Sequence, residues 1–314
     1  MKPILAAATT KSASRQTYYT IRFLVDRQRV EDAYRAYGYF RWVDDLLDGD
    51  ALAGRDASPA ASLSRARFLL RQQSLLDRCL QGEVPRDVSP HEAMLVELVR
   101  RSDRADPRLE AYLRNMMLVM DFDVRRRGRR VTDAELTEYT RWLATAVTEA
   151  MHYFIGSRDV APYDDLRYMA ATGAHIVHML RDTYPDLQAG YFNVPREVLE
   201  AHAIETTDVR SAPYRAWVEG RVRLARACFA AGRAYLTRVR SRRHRLAALA
   251  YIGRFEWLTE VLEDEDFVLR AHYARRGHLT SALRIARDVV LSLSGIQTPG
   301  APRTDSAAPW AGQP

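Results

Sequence analysis

The chain has 314 residues, of which 47% are hydrophobic and 28% charged, with a formal net charge of +7. That is the composition of a globular protein and excludes low-complexity and collagen-like chains. No apolar run approaches the ~18 residues of a membrane-spanning helix, the first ten residues lack the long apolar core of a signal peptide, and no recognisable nucleic-acid module accompanies the positive charge.

Cys79 and Cys228 are far apart and lack metal-ligand spacing, which predicts reduced thiols in a cytoplasmic protein. Helical periodicity runs along most of the chain, with no strand-like alternation and no internal repeat. Residues 1–11 read as an N-terminal extension. A helix is predicted from about Arg27 to Leu47, with Val30, Ala33, Tyr34, Tyr37, Phe40 and Trp42 mostly on one side. Residues 49–62 are rich in Gly, Ala, Asp and Ser and read as a loop before a helix over 64–80. Ser89-Pro90-His91-Glu92 combines an N-cap serine, a proline at the first helical position and a capping-box glutamate, and starts a helix to about Arg101. Pro107 opens the next helix, ending near Arg126. Arg125, Arg126, Arg127, Arg129 and Arg130 cluster around Gly128. A solvated loop between helices is the simpler reading; the functional one is an anionic partner, a diphosphate or a peripheral contact with a membrane surface. Thr132-Asp133-Ala134-Glu135 is a second capping box, with its helix reaching about Phe154. Further helices are predicted over 164–184, from Pro195, and over 213–238, 242–274 and 280–293. Residues 296–314, rich in Pro, Gly, Ala and Ser, read as a disordered tail. Short connections predict one all-α domain with its core between helices.

Two pairs of aspartates carry the chemistry. Asp44 and Asp48 lie in W-V-D-D-L-L-D, and Asp182 and Asp186 in H-M-L-R-D-T-Y-P-D. On a helix, residues four apart project from one face. Carboxylate oxygens so placed suit Mg²⁺, which is usually held by one or two carboxylates plus substrate phosphates. The pattern points to a helical protein that binds a diphosphate through Mg²⁺.

The segment from Ala33 to Asp48, A-Y-R-A-Y-G-Y-F-R-W-V-D-D-L-L-D, resembles the squalene/phytoene synthase pattern A-x-Y-A-x-C-R-x-x-D-D-x-x-D. The segment from Tyr139 to Thr148 resembles the family's Y-x-x-x-V-A-G-x-V-G, and the region from Trp257 to Leu283 resembles its closing helices. The resemblance covers about Ser12 to Leu293. It implies a single-domain, isoprenoid-synthase-like helical bundle with a central cavity over residues 12–295. It implies Mg²⁺ on Asp44, Asp48, Asp182 and Asp186, and a diphosphate on Arg41, Thr17 and Tyr37. Tyr139 matches a tyrosine near the reacting carbons, where a phenol steadies a cation or accepts a proton. Phe40, Thr145, Thr148, His178, Arg181 and Tyr191 fall at positions that would line the substrate site. Plainer readings stand beside these. Arg41 has Asp45 as an i+4 partner, Tyr37 and Tyr139 fit a core equally well, and Asp121 and Asp123 suit solvent as well as a site.

Several positions depart from the pattern. Where the second motif reads Q-x-x-N-x-x-R-D-x-x-E-D, this chain has His175, His178 and Pro185 at the Gln, Asn and Glu positions. Proline removes a helical hydrogen bond and clashes with the carbonyl four residues back, that of Arg181, so the helix is expected to kink or end there. The arginines of the following R-G-R-I-Y-L-P are replaced by Ala189 and Tyr191, and its tyrosine by Asn193. Thr145 and Thr148 replace two glycines, and Phe40 a small residue, which would narrow the cavity.

These departures favour a Mg²⁺-dependent prenyltransferase of secondary metabolism. It would ionise one short allylic diphosphate, such as dimethylallyl diphosphate, and pass the cation to an aromatic acceptor stacked on Tyr39, Phe40, Trp42, Tyr191 or Phe192. The phytoene-synthase-like carbazole prenyltransferases are similar in this respect. The alternative is head-to-head condensation of two farnesyl or geranylgeranyl diphosphates to presqualene diphosphate, squalene or phytoene. Terpene cyclisation and an inactive helical assembly factor are further readings.

Overall fold

A computed structural model describes residues 4–49, 59–156 and 161–273. The expected helix over 280–293 and the tail over 296–314 lie outside the described residues. Among those described there are twelve α-helices, two short 3₁₀ turns and no strand. They form two compact units, one of residues up to Arg129 with 145–157, the other of residues 130–144 and from 158 onward.

The first unit contains α1 (Ile4–Ala13), α2 (Arg15–Leu24), α3 (Val30–Asp48), α4 (Pro59–Leu80), α5 (Glu92–Arg101), α6 (Pro107–Arg126) and the second half of α7 (Asp133–Phe154). Helix α1 occupies most of the segment expected as an extension. Its Ala and Thr residues carry little amphipathic pattern, so sequence periodicity misses it. It buries Ala6 and Thr10 against α3, where Gly38 permits the approach: a Cβ there would stand 3.5 Å from the backbone of Ala6. Helix α4 starts at Pro59, inside the segment expected as loop, because proline is well suited to a first helical turn.

A buried polar chain joins α3, α4 and α5. The Tyr39 hydroxyl donates to Gln72 Oε1 at 3.1 Å, and Gln72 Nε2 donates to Glu92 Oε1 at 3.0 Å. Arg71 donates to both oxygens of Glu92, at 2.7 and 3.1 Å. The same glutamate accepts from the Ser89 amide at 2.8 Å, and Ser89 Oγ accepts from the Glu92 amide at 3.2 Å, the reciprocal capping box expected there. The second box is likewise formed, between Thr132 and Glu135. At the C-terminal end of α3, the buried Arg65 donates to the Leu47 carbonyl at 2.8 Å, satisfying one of the carbonyls a helix end leaves open.

The second unit contains the first half of α7, α8 (Met169–Arg181), α9 (Thr183–Ala189), α10 (Arg196–His202), α11 (Ala212–Thr237) and α12 (Arg242–Asp264). Helices α8 and α11 meet backbone to backbone. A Cβ on Gly173 would lie 2.9 Å from the Ala225 carbonyl oxygen, and one on Gly232 would lie 2.8 Å from the Ala170 amide nitrogen. Two expected helices are shorter than predicted. Residues 164–184 divide into a 3₁₀ turn (Asp165–Tyr168), α8 and the start of α9. Helix α12 stops at Asp264 rather than near 274. Asp266 and Phe267 turn left-handed there, at φ 52° and 58°, and the Phe267 amide closes onto the Leu262 carbonyl at 2.7 Å. No glycine or proline marks that stop in the sequence.

Candidate active site

The first aspartate motif belongs to the first unit. Asp44 and Asp48 lie on successive turns at the end of α3, Asp44 half-buried and Asp48 exposed. Burial raises the Asp44 carboxyl to about 6, and repulsion from Asp48, Asp123 and Asp45 adds to this against the pull of Arg41. Arg41 donates to Asp44 Oδ2 at 3.2 Å and also pairs with Asp45. Asp123, on α6, is thus near enough for its charge to matter, and it pairs with Arg126 at 2.7 Å. Asp121 pairs with Arg125 at 2.7 Å. Much of the arginine cluster is therefore engaged locally, and Arg130 pairs with Glu205 within the second unit.

The other residues expected in this unit are also placed. The Thr17 hydroxyl meets Ser14 Oγ at 2.9 Å in the cap of α2. Tyr37 is half-buried and close enough to Arg41 to raise its pKa. Phe40 is buried, edge-on to Tyr39 at 5.2 Å and to Tyr112 at 5.5 Å. Trp42 stacks on His91 at 5.0 Å, and Tyr39 is fully buried, so these rings pack against protein. Thr145 is half-buried and Thr148 buried, both on α7.

The second motif belongs to the second unit. Helix α8 ends at Arg181, whose carbonyl the ring of Pro185 excludes, and Asp182 takes a non-helical conformation at φ −94° and ψ 10°. The chain resumes as α9, with the Asp186 amide donating to the Asp182 carbonyl at 2.8 Å. Burial pushes the Asp182 carboxyl up. Arg181, donating at 2.6 and 2.7 Å, and His178 Nε2 at 2.7 Å more than reverse this and hold it well below the usual carboxylate range. Asp186 accepts from Asn193 Nδ2 at 2.6 Å. Asn193, read from sequence only as a lost tyrosine, is buried and also reaches the Met179 carbonyl at 3.3 Å. The Tyr191 amide donates to the Asp186 carbonyl at 2.7 Å. Tyr139 is buried on α7, edge-on to His175 at 5.0 Å.

Among the described residues no group of three or more His, Cys, Asp or Glu side chains is gathered to hold a metal by protein ligands alone. That is compatible with Mg²⁺, which takes one or two carboxylates and completes its octahedron with phosphate oxygens and water. The donor chemistry at Asp44 and Asp48 fits such an ion: hard oxygens, crowded with like charge that a cation relieves. Asp182 fits less readily, since a cation there competes with Arg181 and His178. No described helix is long and apolar enough to cross a membrane.

No curated protein matches the chain in sequence. Among solved structures it is similar to squalene synthase HpnC from Alicyclobacillus acidocaldarius, at 21% identity and a TM-score of 0.64 over 85% of this chain and 95% of that one. It is similar to a dehydrosqualene synthase in complex with ligand, at 16% identity and a TM-score of 0.67 over 93% and 96% of the two chains. The complex of TcSQS with the ligand BPH1237 aligns at 14% identity and a TM-score of 0.57 over 95% and 92%. These likenesses give the all-α fold of the squalene synthases. The family description squalene/phytoene synthase matches residues 10–281, so the chain belongs to the squalene/phytoene synthase family, as the aspartate-bearing segment of α3 implies.

Proposed function

We propose that the protein is a Mg²⁺-dependent prenyltransferase that joins two prenyl diphosphates head to head. The observation that carries this reading is the Arg41, Asp44 and Asp48 cluster at the end of α3, in a chain matched to the squalene/phytoene synthase family over residues 10–281. Heterolysis of the allylic C–O bond leaves its electron pair on the diphosphate. Asp44 and Asp48 would hold Mg²⁺, which would supply the charge that makes diphosphate a leaving group. Arg41 adds a directed cation beside it. The allylic cation then adds to the double bond of the second donor, which loses a proton. By the family resemblance Tyr139 would serve the cation, its ring as a steadying face and its oxygen as a proton acceptor.

Transfer of one short prenyl group to an aromatic acceptor is the second reading. Asp182 already paired with Arg181 and hydrogen-bonded to His178, and Asp186 tied to Asn193, favour it, because their oxygens are then less open to a second metal. The rings left to stack on the acceptor would then be those of Tyr191 and Phe192, since Tyr39 and Phe40 are buried and Trp42 packs on His91.

Purified protein with Mg²⁺ and dimethylallyl, geranyl, farnesyl or geranylgeranyl diphosphate, with and without an aromatic acceptor pool, separates the readings. Presqualene diphosphate or phytoene from one long-chain donor is the expected product. Prenylated aromatic product and no head-to-head product would reverse the choice. No diphosphate release from any donor would remove both.

A further inference from the structure

Helix α2 has an outer face that the chemistry above does not use. Its inner side is fixed to the first unit: Ile21 is buried, Tyr18 stacks on Tyr34 of α3 at 5.3 Å, and the Tyr34 hydroxyl donates to the Tyr18 carbonyl at 3.2 Å. Arg15, Tyr19, Arg22 and Phe23, spaced i, i+4, i+7 and i+8, share the other side and are all exposed. Tyr19 is 50% exposed and Phe23 70%, and their rings stack nearly parallel, 9° apart in plane, at 6.1 Å. Water meets a paired aromatic surface there rather than one stray ring.

The charge along this part of the chain is of one sign. Residues 1–25 contain Lys2, Lys11, Arg15 and Arg22 and no aspartate or glutamate. The next acid, Asp26, is buried and accepts from the Gly156 amide at 3.2 Å, and Glu31 beyond it pairs with Arg35. Among the described residues Arg15 and Arg22 form no ion pair, whereas exposed arginines on other helices, such as Arg78, Arg100 and Arg114, do. The cluster around Gly128 contrasts with α2 in the same way, since Arg125, Arg126 and Arg130 are paired with Asp121, Asp123 and Glu205.

We infer that the outer face of α2 docks the protein on an anionic phospholipid bilayer. Phe23 and Tyr19 enter the boundary between headgroups and acyl chains, and Arg15 and Arg22 meet the phosphates. Exposed rings interleaved with unpaired cations answer both layers of that boundary at once. A second copy seated on the same face would set Arg15 and Arg22 against their own counterparts, so the charge of α2 opposes self-association there.

Flotation of the full-length protein with vesicles of phosphatidylcholine, alone or mixed with phosphatidylglycerol, tests the assignment. Wild type is expected to float with the anionic vesicles, to stay behind with the neutral ones, and to detach as salt is raised. Tyr19→Ser with Phe23→Ser should weaken binding to the anionic vesicles by about tenfold or more. Arg15→Gln with Arg22→Gln should weaken it by a similar factor. Both pairs should melt close to wild type, since the altered side chains are exposed. Should the serine pair fail to fold, the glutamine pair carries the test. Wild-type flotation by the serine pair, equal flotation on neutral vesicles, or none on anionic ones overturns the proposal. A wild-type dimer that ignores vesicles and that the serine pair splits into monomers overturns it too, and gives the face to a second copy of the chain.

Discussion

Asp44 and Asp182 are matching residues of two similar motifs, yet their surroundings push them in opposite directions. Asp44 is raised to about 6 by burial and by its neighbours' charge, whereas Asp182 is held low by Arg181 and His178. A carboxyl raised in the fold resists ionisation, so the folded state loses stability as pH rises from the ordinary carboxylate value towards 6. Asp44→Asn removes that cost. The variant is expected to lose turnover while its unliganded protein melts at a higher temperature than wild type near pH 7. The difference should shrink as pH falls through about 6 and vanish below about pH 3, where the wild-type carboxyl is protonated in both states. Paired thermal melts at the two pH values check this. A lower melting temperature at pH 7 would count against the crowding of charge at Asp44. The spacing of the aspartates was legible in the sequence, because it follows helical geometry alone. Their opposite electrostatics were not, since these come from the burial of Asp44 in the fold and from the side-chain pairing of Asp182 with Arg181 and His178.

At the scale of elements, Glu92 does two jobs. It completes the capping box of α5 and receives Arg71 and Gln72 from α4, with Tyr39 of α3 one bond further on. Burial pushes its carboxyl up, but hydrogen bonds from Arg71, Ser89 and Gln72 outweigh this and hold it at about 2. A depressed carboxyl stabilises the fold above its ordinary value, and that contribution is lost as pH falls towards 2. Glu92→Gln should cost about 2 kcal/mol near neutral pH, in line with hydrogen bonds to a buried charge, and progressively less in acid. Urea unfolding at a series of pH values measures both. The α8–α11 seam makes a separate prediction. Gly173→Ala forces a methyl group to 2.9 Å from the Ala225 carbonyl and should destabilise by about 1–3 kcal/mol. Gly220→Ala, with nothing within 4 Å of the added atom, should stabilise by about 0.5–1 kcal/mol, as expected for replacing a mid-helix glycine. If both variants lose stability equally, close packing is not the reason for Gly173. Capping boxes and prolines located α5, α6 and α7 closely in the sequence. The start of α1, the end of α12 and the break at Asp182 depend on weakly patterned residues or on tertiary contacts.

At the scale of the whole molecule, a ligand that binds only the folded state stabilises the entire chain by mass action. Mg²⁺ with inorganic diphosphate, at a concentration about 100 times the dissociation constant, should add ~2.7 kcal/mol. Either component alone should add less, because the carboxylates need the cation and the cation needs phosphate oxygens. Asp48→Asn should cut the shift obtained with both. A full shift in that variant would mean that the diphosphate is held elsewhere. The family was legible from the first motif, since one stretch of α3 keeps Arg41, Asp44 and Asp48 in place. The acceptor was not, because no motif of the chain encodes it.

The contact of Gly173 and Gly232 with the facing helix also bears on how such a chain can change over time. Positions that need bare backbone admit almost no substitution, while the polar ends of the same helices are held by side-chain pairings that can be exchanged one at a time. Random replacement across α8 and α11 should therefore kill most often along the stripe of Ala170, Gly173, Ala225, Phe229 and Gly232, and less often at the loop beyond Asp186. Such a seam fixes the helices through backbone contact, so the side chains at their ends are free to change without moving the pair apart.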